Sequence, residues 1–370
     1  MKIVIYTKRV ERRMTMLKCL SERRHNYNAN TFINELSDAS KKLGILEAKI
    51  DAYQFNSILI PMLHVREATS SMYIEGTQMT VSDVFENKVA PKDNDNKKMT
   101  EVGNHIRAIL YGIDHLRQGK FTHSFICKIH EIMMAGILEL HHEMNRGKYK
   151  YSDNRIVNSA GTTVFVPPSA KETKKYMSEL LDYMNDKTSD ENPLIKAAVI
   201  HSQFESIHPF SDGNGRVGRV LFTLYLYASS VVNFPFFYIS EAISMDKSVY
   251  YSMLNSSREN NYDEWLRFFL RKVAVQTEKH TAYIDSLNDL YTKTKRIVKD
   301  CINSPKFDAI IEYIFSNPIL TAKNLAEEIN VSQSQAIKYL NVLSVQKVLI
   351  GNDRKRGRTF FFHELLDLAR

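Results

Sequence analysis

Apolar residues recur at spacings of three and four along most of the chain, the period of helices with one buried face. The stretch FINELSDASKKLGILEAKIDAY carries this spacing. ILIPMLHVREATSSMYIEG reads as a second helix stopping at Gly76, because glycine leaves a helix without a Cβ penalty. Two more helical patterns run from MTEVGNHIRAILYGIDHLRQ to ICKIHEIMMAGIL. In the first of them Val102, Ile106, Ile109, Leu110, Ile113 and Leu116 make the expected inner stripe. The texture changes at residues 155 to 168, RIVNSAGTTVFVPP, where short β-prone runs flank NSAG; this predicts a hairpin closed by two prolines. SAKETKKYMSELLDYMND returns to helix. ENPLIKAAVIHSQFESIHPF opens with Asn192 as N-cap and Pro193 in the first turn, both good helix starters. RVGRVLFTLYLYASS is apolar on nearly all sides, as the buried centre of a bundle would be.

Towards the C-terminus, NDLYTKTKRIVKDCINSP reads as a charged linker helix, and the last 66 residues read as a separate small unit. LTAKNLAEEINVSQSQAIKYLNVL has helix-turn-helix spacing. Leu325, Ala326 and Ile329 lie on the first helix, Val331 follows, and Ile337, Leu340 and Leu343 lie on the second. VLIGNDRKRGRTFFF suits a β-ribbon wing with a basic tip, RKRGR. The expectation is a mainly α chain: a helical bundle with a β-hairpin, and a C-terminal winged helix-turn-helix unit. The divisions expected are an N-terminal helical region, 1–110, a core, 111–275, a linker helix, 276–304, and the tail unit, 305–370.

Length and composition narrow the class. A chain of 370 residues allows two or three domains. Its 44% hydrophobic and 25% charged residues are ordinary for a folded protein. No apolar run approaches the ~20 residues of a membrane helix. The opening MKIVIYTKRVERR is too short in apolar residues for a signal peptide. Cys19, Cys127 and Cys301 are scattered without metal spacing; together these features favour a reducing cytoplasm. Net charge is +8, and the first 25 residues hold eight Lys/Arg against two Glu. A solvated extension fits that segment better than a nucleic-acid arm. Residues 305–370 are only mildly basic, with nine Lys/Arg against seven Asp/Glu. DNA binding through Ser332, Gln333, Ser334, Gln335 and Lys338 stays open there, as do protein docking and dimerisation.

The candidate chemistry is concentrated in HPFSDGNGRVGR, residues 208 to 219. A helix ends near Ile207, the chain turns through DGNG, and a new helix begins. Unpaired N–H groups at a helix start attract anions. Gly213 and Gly215 let those groups converge without Cβ clashes around Asn214. Arg216 and Arg219, three apart, can add bidentate donors to phosphate oxygens. Asp212 at the mouth of an anion site makes sense with a cation such as Mg²⁺ between carboxylate and phosphate. His208 is suited to accept a proton near neutrality. Base, metal carboxylate, anion cradle and phosphate clamp together serve attack by a hydroxyl on a nucleotide phosphate. The G-x-x-x-x-G-K-S/T pattern of a P-loop is absent.

This run resembles the signature of the Fic family, H-P-F-x-D/E-G-N-G-R-x-x-R, at every fixed position. RGKYKYSDNRIVNSAGTTVFVPPSAKETKKYMSELL resembles the family's flap hairpin and following helix, and YYSMLNSSRENNYDEWLRFFL its closing segment. EATSSMYIEGTQMT is similar to its N-terminal inhibitory motif through Ser71, Glu75 and Gly76. The resemblance, covering about residues 40 to 275, implies a Fic-type helical bundle that transfers AMP from ATP to a Ser, Thr or Tyr hydroxyl of a target protein, its own chain included. It implies His208 as base, Asp212 as Mg²⁺ ligand, and Gly213, Asn214, Gly215 and Arg216 at the phosphates, with Arg219 on the γ-phosphate. It implies an adenine pocket at Tyr250 and Tyr251, and a target-docking flap through Val157, Thr163, Val164, Phe165 and Val166. Glu75 pairing with Arg219 would occupy the γ-phosphate's arginine and restrain the site. A phosphotransferase like the Doc toxins is disfavoured by Asp212 and Gly213. Removal of AMP from a modified protein, with Glu75 aligning a water, stays open. So does a DNA-binding regulator with an ATP-sensing site.

Overall fold

A computed structural model of the chain describes residues 17, 20, 27–52, 56–139, 143–158, 160–234, 237–259, 261–354 and 357–369. Most of the basic N-terminal segment, Cys19, and Lys355 and Arg356 of the expected wing tip lie outside the described residues. The helices that precede the core are α1 (Ile33–Ala52), α2 (Asn56–Glu75), α3 (Val81–Val89), α4 (Asn96–Leu116) and α5 (His123–Met133). A hairpin, β1 (Ile156–Val157) and β2 (Thr163–Phe165), comes next. Then follow α6 (Ala170–Asn185), α7 (Pro193–Ile207), α8 (Asn214–Ala228), α9 (Ser240–Met245), α10 (Lys247–Arg258) and α11 (Tyr262–Cys301). The last elements are α12 (Phe307–Ser316), β3 (Ile319–Thr321), α13 (Ala322–Ile329), α14 (Gln333–Val345), β4 (Ile350–Gly351), β5 (Thr359–Phe361) and α15 (His363–Leu368). Mainly helical architecture with small antiparallel sheets is thus what the spacing predicts. Among the described residues no helix is long and apolar enough to cross a membrane.

The chain divides into two compact units. The first comprises residues 1–48, 70–78 and 100–278; the second 49–69, 79–99 and 279–370. In the first, α7 and α8 pack together at the centre, with α6 and α10 against α7 and α5 against α8. Every residue from Leu194 to Ile207 is buried. The Asn192 side chain accepts from the N–H of Leu194, and Pro193 begins α7, as expected of a capped start. The hairpin turns on Asn158, whose Oδ1 accepts from the N–H of Ala160 and of Thr162, each at 3.0 Å, with Gly161 at φ 79°. One stripe residue departs from expectation. Leu110 is 51% exposed, because Val102, Ile109 and Ile113 set the inward direction and Leu110 lies about a quarter-turn from it. Buried Asn104 shares the inner side instead, and its amide donates to the carbonyls of Met133 and Ala135.

In the second unit the three strands pair antiparallel in the order β3-β5-β4. Thr321 caps α13 and Ser332 caps α14, and Asn330 turns the chain between them at φ 52°. Leu325, Ala326 and Ile329 are buried as expected. On α14 the inner face is Ala336, Leu340 and Leu343, while Ile337 is 42% exposed. Spacings of four and three from Ala336 stay on one side of a helix, whereas two successive spacings of three from Ile337 drift off it.

Candidate active site

Helix α7 ends at His208, which takes the left-handed conformation (φ 48°) and donates its N–H to Phe204 O at 3.0 Å. Such a conformation costs a non-glycine residue energy and bends the chain sharply. Phe210 then anchors the loop: its ring is fully buried and stacks on His130 with centroids 3.9 Å apart. Asn214 closes the loop by accepting from the Phe210 N–H and donating to the Phe210 carbonyl, both at 2.8 Å. Its side chain thus fixes the loop's shape, and its backbone N–H begins α8. Gly213 (φ 78°) is required twice over, by its conformation and because a Cβ would sit 2.5 Å from Met134 Sδ.

The start of α8 faces a carboxylate. A Cβ on Gly215 would collide with Oε1 of Glu75. Arg219, 1% exposed, binds the same region of α2 with three donors. Nη2 reaches Glu75 Oε1 at 2.8 Å and the Ser71 carbonyl at 3.0 Å, and Nε reaches Ser71 Oγ at 3.0 Å. Gly76 ends α2 at φ 97°, donating to the Tyr73 carbonyl at 3.1 Å. Burial pushes the Glu75 carboxyl up, but the charges of Arg219 and Arg216 outweigh this and hold it below its ordinary value. Glu75 is therefore an anion held at the start of α8.

The geometry of His208 is equally specific. His208 Nδ1 lies 3.3 Å from the Glu205 carbonyl, which places the proton on Nδ1 and the lone pair on Nε2. Nε2 is buried with no hydrogen-bond partner. Burial, helped by the charges of Lys150 and Arg258, lowers the imidazole to about 3, so it is neutral near pH 7. Asp212 is half exposed; Oδ1 accepts from the Gly213 N–H at 2.6 Å and lies 3.7 Å from Arg216. Arg216 reaches a second acid, Glu101 of α4, at 3.3 Å. No sequence signal marked Glu101, which reads as one more charge on a helix.

The tyrosines are brought beside this site with their hydroxyls engaged. Tyr250 is buried and its hydroxyl lies 2.8 Å from Nε2 of His201, while Tyr251 donates to the Ile74 carbonyl, one residue before Glu75. In the hairpin Val157 and Phe165 are buried, Thr163 and Val166 half-buried, and Val164 exposed. Arg258 of α10 lies 4.6 Å over the Phe165 ring and donates to the Glu205 carbonyl, which joins hairpin and α7.

Family models match two parts of the chain: Fic/DOC family over residues 120–226, and Fic/DOC family N-terminal over residues 33–114. The chain belongs to the Fic/DOC family. A "probable protein adenylyltransferase" of Aquifex aeolicus is 28% identical over 241 residues, spanning 55% of this chain and 73% of that protein. The protein adenylyltransferase Fic of Nematostella vectensis is 28% identical over 214 residues, spanning 54% of this chain but 44% of its own length. Less than half of that animal relative is therefore represented. A solved Fic family protein from Desulfovibrio desulfuricans shares the fold, with a TM-score of 0.59 at 18% identity over 91% of this chain and 97% of that one. Residues 134–508 of Fic-1 from Caenorhabditis elegans align with a TM-score of 0.54 at 16% identity, covering 68% and 73%.

Within the Fic core, a fourth acid also escaped the sequence reading. Glu205 is buried, and its Oε1 has no partner and would lie 2.5 Å from a Cβ on Gly218. Burial, with the charge of Glu75 adding and those of Arg219 and Arg258 opposing, pushes its carboxyl up to about 7.

Proposed function

We propose that the chain is a protein adenylyltransferase, a nucleotidyltransferase that moves AMP from ATP to a Ser, Thr or Tyr hydroxyl of a protein. His208 Nε2 accepts the proton of the target hydroxyl as its oxygen bonds to the α-phosphorus. The bond from that phosphorus to the bridging oxygen breaks, and pyrophosphate leaves. The backbone N–H groups at the start of α8, with Arg216, receive the phosphates, and Arg219 receives the γ-phosphate. The flap, β1 to β2, offers main-chain groups to an extended segment of the target. Asp212, a half-exposed carboxylate at the mouth of the site, would hold Mg²⁺ together with substrate phosphates and water. Bound there, Mg²⁺ would neutralise phosphate charge.

The single observation that supports this reading most is the pairing of opposites at one loop. An unbonded, neutral imidazole nitrogen stands beside an anion cradle with a carboxylate seated on it. The same geometry supports restraint by Glu75, because one guanidinium cannot serve a carboxylate and a phosphate at once. Incubating the Glu75→Gly protein with α-³²P-labelled ATP and a cell lysate tests the proposal. Label on protein, together with a mass increase of one AMP, is expected. Label absent from every protein, with ATP demonstrably bound, removes the assignment.

Removal of AMP is the second reading. Glu75 keeps 29% of its side chain exposed and could orient a water from there. Glu75→Gly would then abolish release of AMP from a modified protein in the absence of ATP. For residues 305–370 we infer a winged-helix unit. The exposed side of α14 presents Gln333, Ile337 and Asn341 to a groove of about 890 Å³ shared with Lys323, Arg354 and Arg358. Binding to duplex DNA through that groove would weaken steeply with salt; a salt-insensitive association would instead favour protein docking.

A further inference from the structure

The loop carrying His208 rests on a clamp supplied by the segment just before the hairpin. The carbonyl of Ile207 accepts from Lys150 Nζ at 3.2 Å, and that of His208 from Asn154 Nδ2 at 3.2 Å. The carbonyl of Pro209 accepts from the Lys150 N–H at 2.8 Å, and that of Phe210 from Asn154 Nδ2 at 3.1 Å. Residues 207 to 210 thus have all their carbonyls held by two residues four apart. Lys150 Nζ also donates to Asn154 Oδ1 at 2.8 Å, so each half of the clamp fixes the other. Lys150 is 4% and Asn154 2% exposed.

Carbonyls at a helix end lose their intrahelical partners, and buried ones need others. The left-handed conformation of His208 persists only where its surroundings over-determine it. A proton acceptor, in turn, works only within hydrogen-bond reach of the proton it takes. We propose that Lys150 and Asn154 are positioning residues for the base: they lock the backbone of residues 207–210 so that Nε2 of His208 stands where the target hydroxyl is deprotonated. Their bonds go to this loop and to each other, so their action is on proton transfer and not on holding ATP. Burial keeps the His208 ring neutral, with Arg258 and the charged form of Lys150 adding and Glu75 opposing; burial also lowers Lys150 itself to about 7. This role rests on the AMP-transfer reading, and its test separates the two.

The Glu75→Gly protein serves as reference. Asn154→Asp keeps the shape and the acceptor for Lys150 but loses both N–H donors. It should lower kcat at least tenfold, with ATP affinity by calorimetry within twofold of the reference and cooperative thermal unfolding retained. Lys150→Arg, which keeps donors, should stay nearer the reference than Lys150→Met. Hydrogen exchange of the peptide 205–214 should quicken in Asn154→Asp whether or not the protein is active. A kcat within twofold of the reference, or unchanged exchange in the presence of a lowered kcat, overturns the proposal. If the reference itself transfers no AMP, the functional reading fails, and the exchange comparison still decides whether the clamp holds the loop.

Discussion

His208, Glu75 and Glu205 each place a different demand on one small volume. Nε2 of His208 carries a lone pair that is both buried and unbonded, so His208→Ala should cut AMP transfer by about 10²–10⁴-fold while ATP affinity changes little. Single-turnover labelling beside calorimetry checks this; a matched fall in both would place His208 among the nucleotide contacts. Under the proposed restraint Glu75 and phosphate compete for Arg219, so Glu75→Gly should raise self-labelling well above wild type. Adding Arg219→Ala should bring it down again, with the two effects strongly non-additive, as groups in one network behave. Additive effects would mean that the two side chains act apart. For Glu205 the sign runs through linkage. Its carboxyl is raised from 4.5 to about 7 by burial, so native stability tied to it is intact at low pH and lost as pH rises towards 7. Glutamine stays neutral. Glu205→Gln should therefore gain on wild type, in urea midpoints, between about pH 4.5 and 7, by an amount on the order of a few kcal/mol. A constant difference across that range would show that the carboxyl is not buried in its neutral form.

At the scale of the element, α8 combines two roles that usually exclude each other. It is the apolar centre of its unit, and its first turns present Arg216 and Arg219. Arg219 can lie within that core because Ser71 and Glu75 meet all its charge and much of its donor capacity there. Gly218, between the arginines, gives Glu205 its room. In an ordinary helix Gly→Ala gains about 1 kcal/mol. Here the new Cβ would stand 2.5 Å from Glu205 Oε1, with the Phe204 ring at 3.2 Å, in a region with little freedom to yield. Gly218→Ala should thus lower the Tm, and a rise would show that the carboxylate relocates without cost. The caps of α7 and the stop of α2 at Gly76 were legible in sequence because they depend on neighbours in the chain. The outward turn of Leu110 and Ile337 was not, since an apolar residue beside a stripe has the same spacing signature whichever way its helix is rotated.

For the whole molecule, every group assigned to the chemistry, from Ser71 to Arg258, falls in the first compact unit. Residues 305–370 belong entirely to the second, so a Glu75→Gly protein ending at Ser304 should still label itself. Its stability should fall, because α3 packs on β3 within the second unit and would lose that partner. Labelling per mole of folded protein is the measurement; a folded but inactive truncation would mean that the tail completes the site.

The run from His208 to Arg219 and the SSMYIEG segment were readable without any structure, because each packs several chemical groups into a few residues whose order is itself the signal. Even the meeting of Glu75 with Arg219, 144 positions apart, was implied by the resemblance of SSMYIEG to the family's inhibitory motif. Tertiary structure alone decided that Glu101 reaches Arg216, that Glu205 is buried beside Gly218, that Tyr250 engages His201, and that Lys150 and Asn154 hold the loop's carbonyls. The reason is physical. A lone polar residue at a helix or loop position has the same local pattern whether it faces water or a partner, and only the packing of elements distant in sequence settles which groups lose their solvent and must find one another.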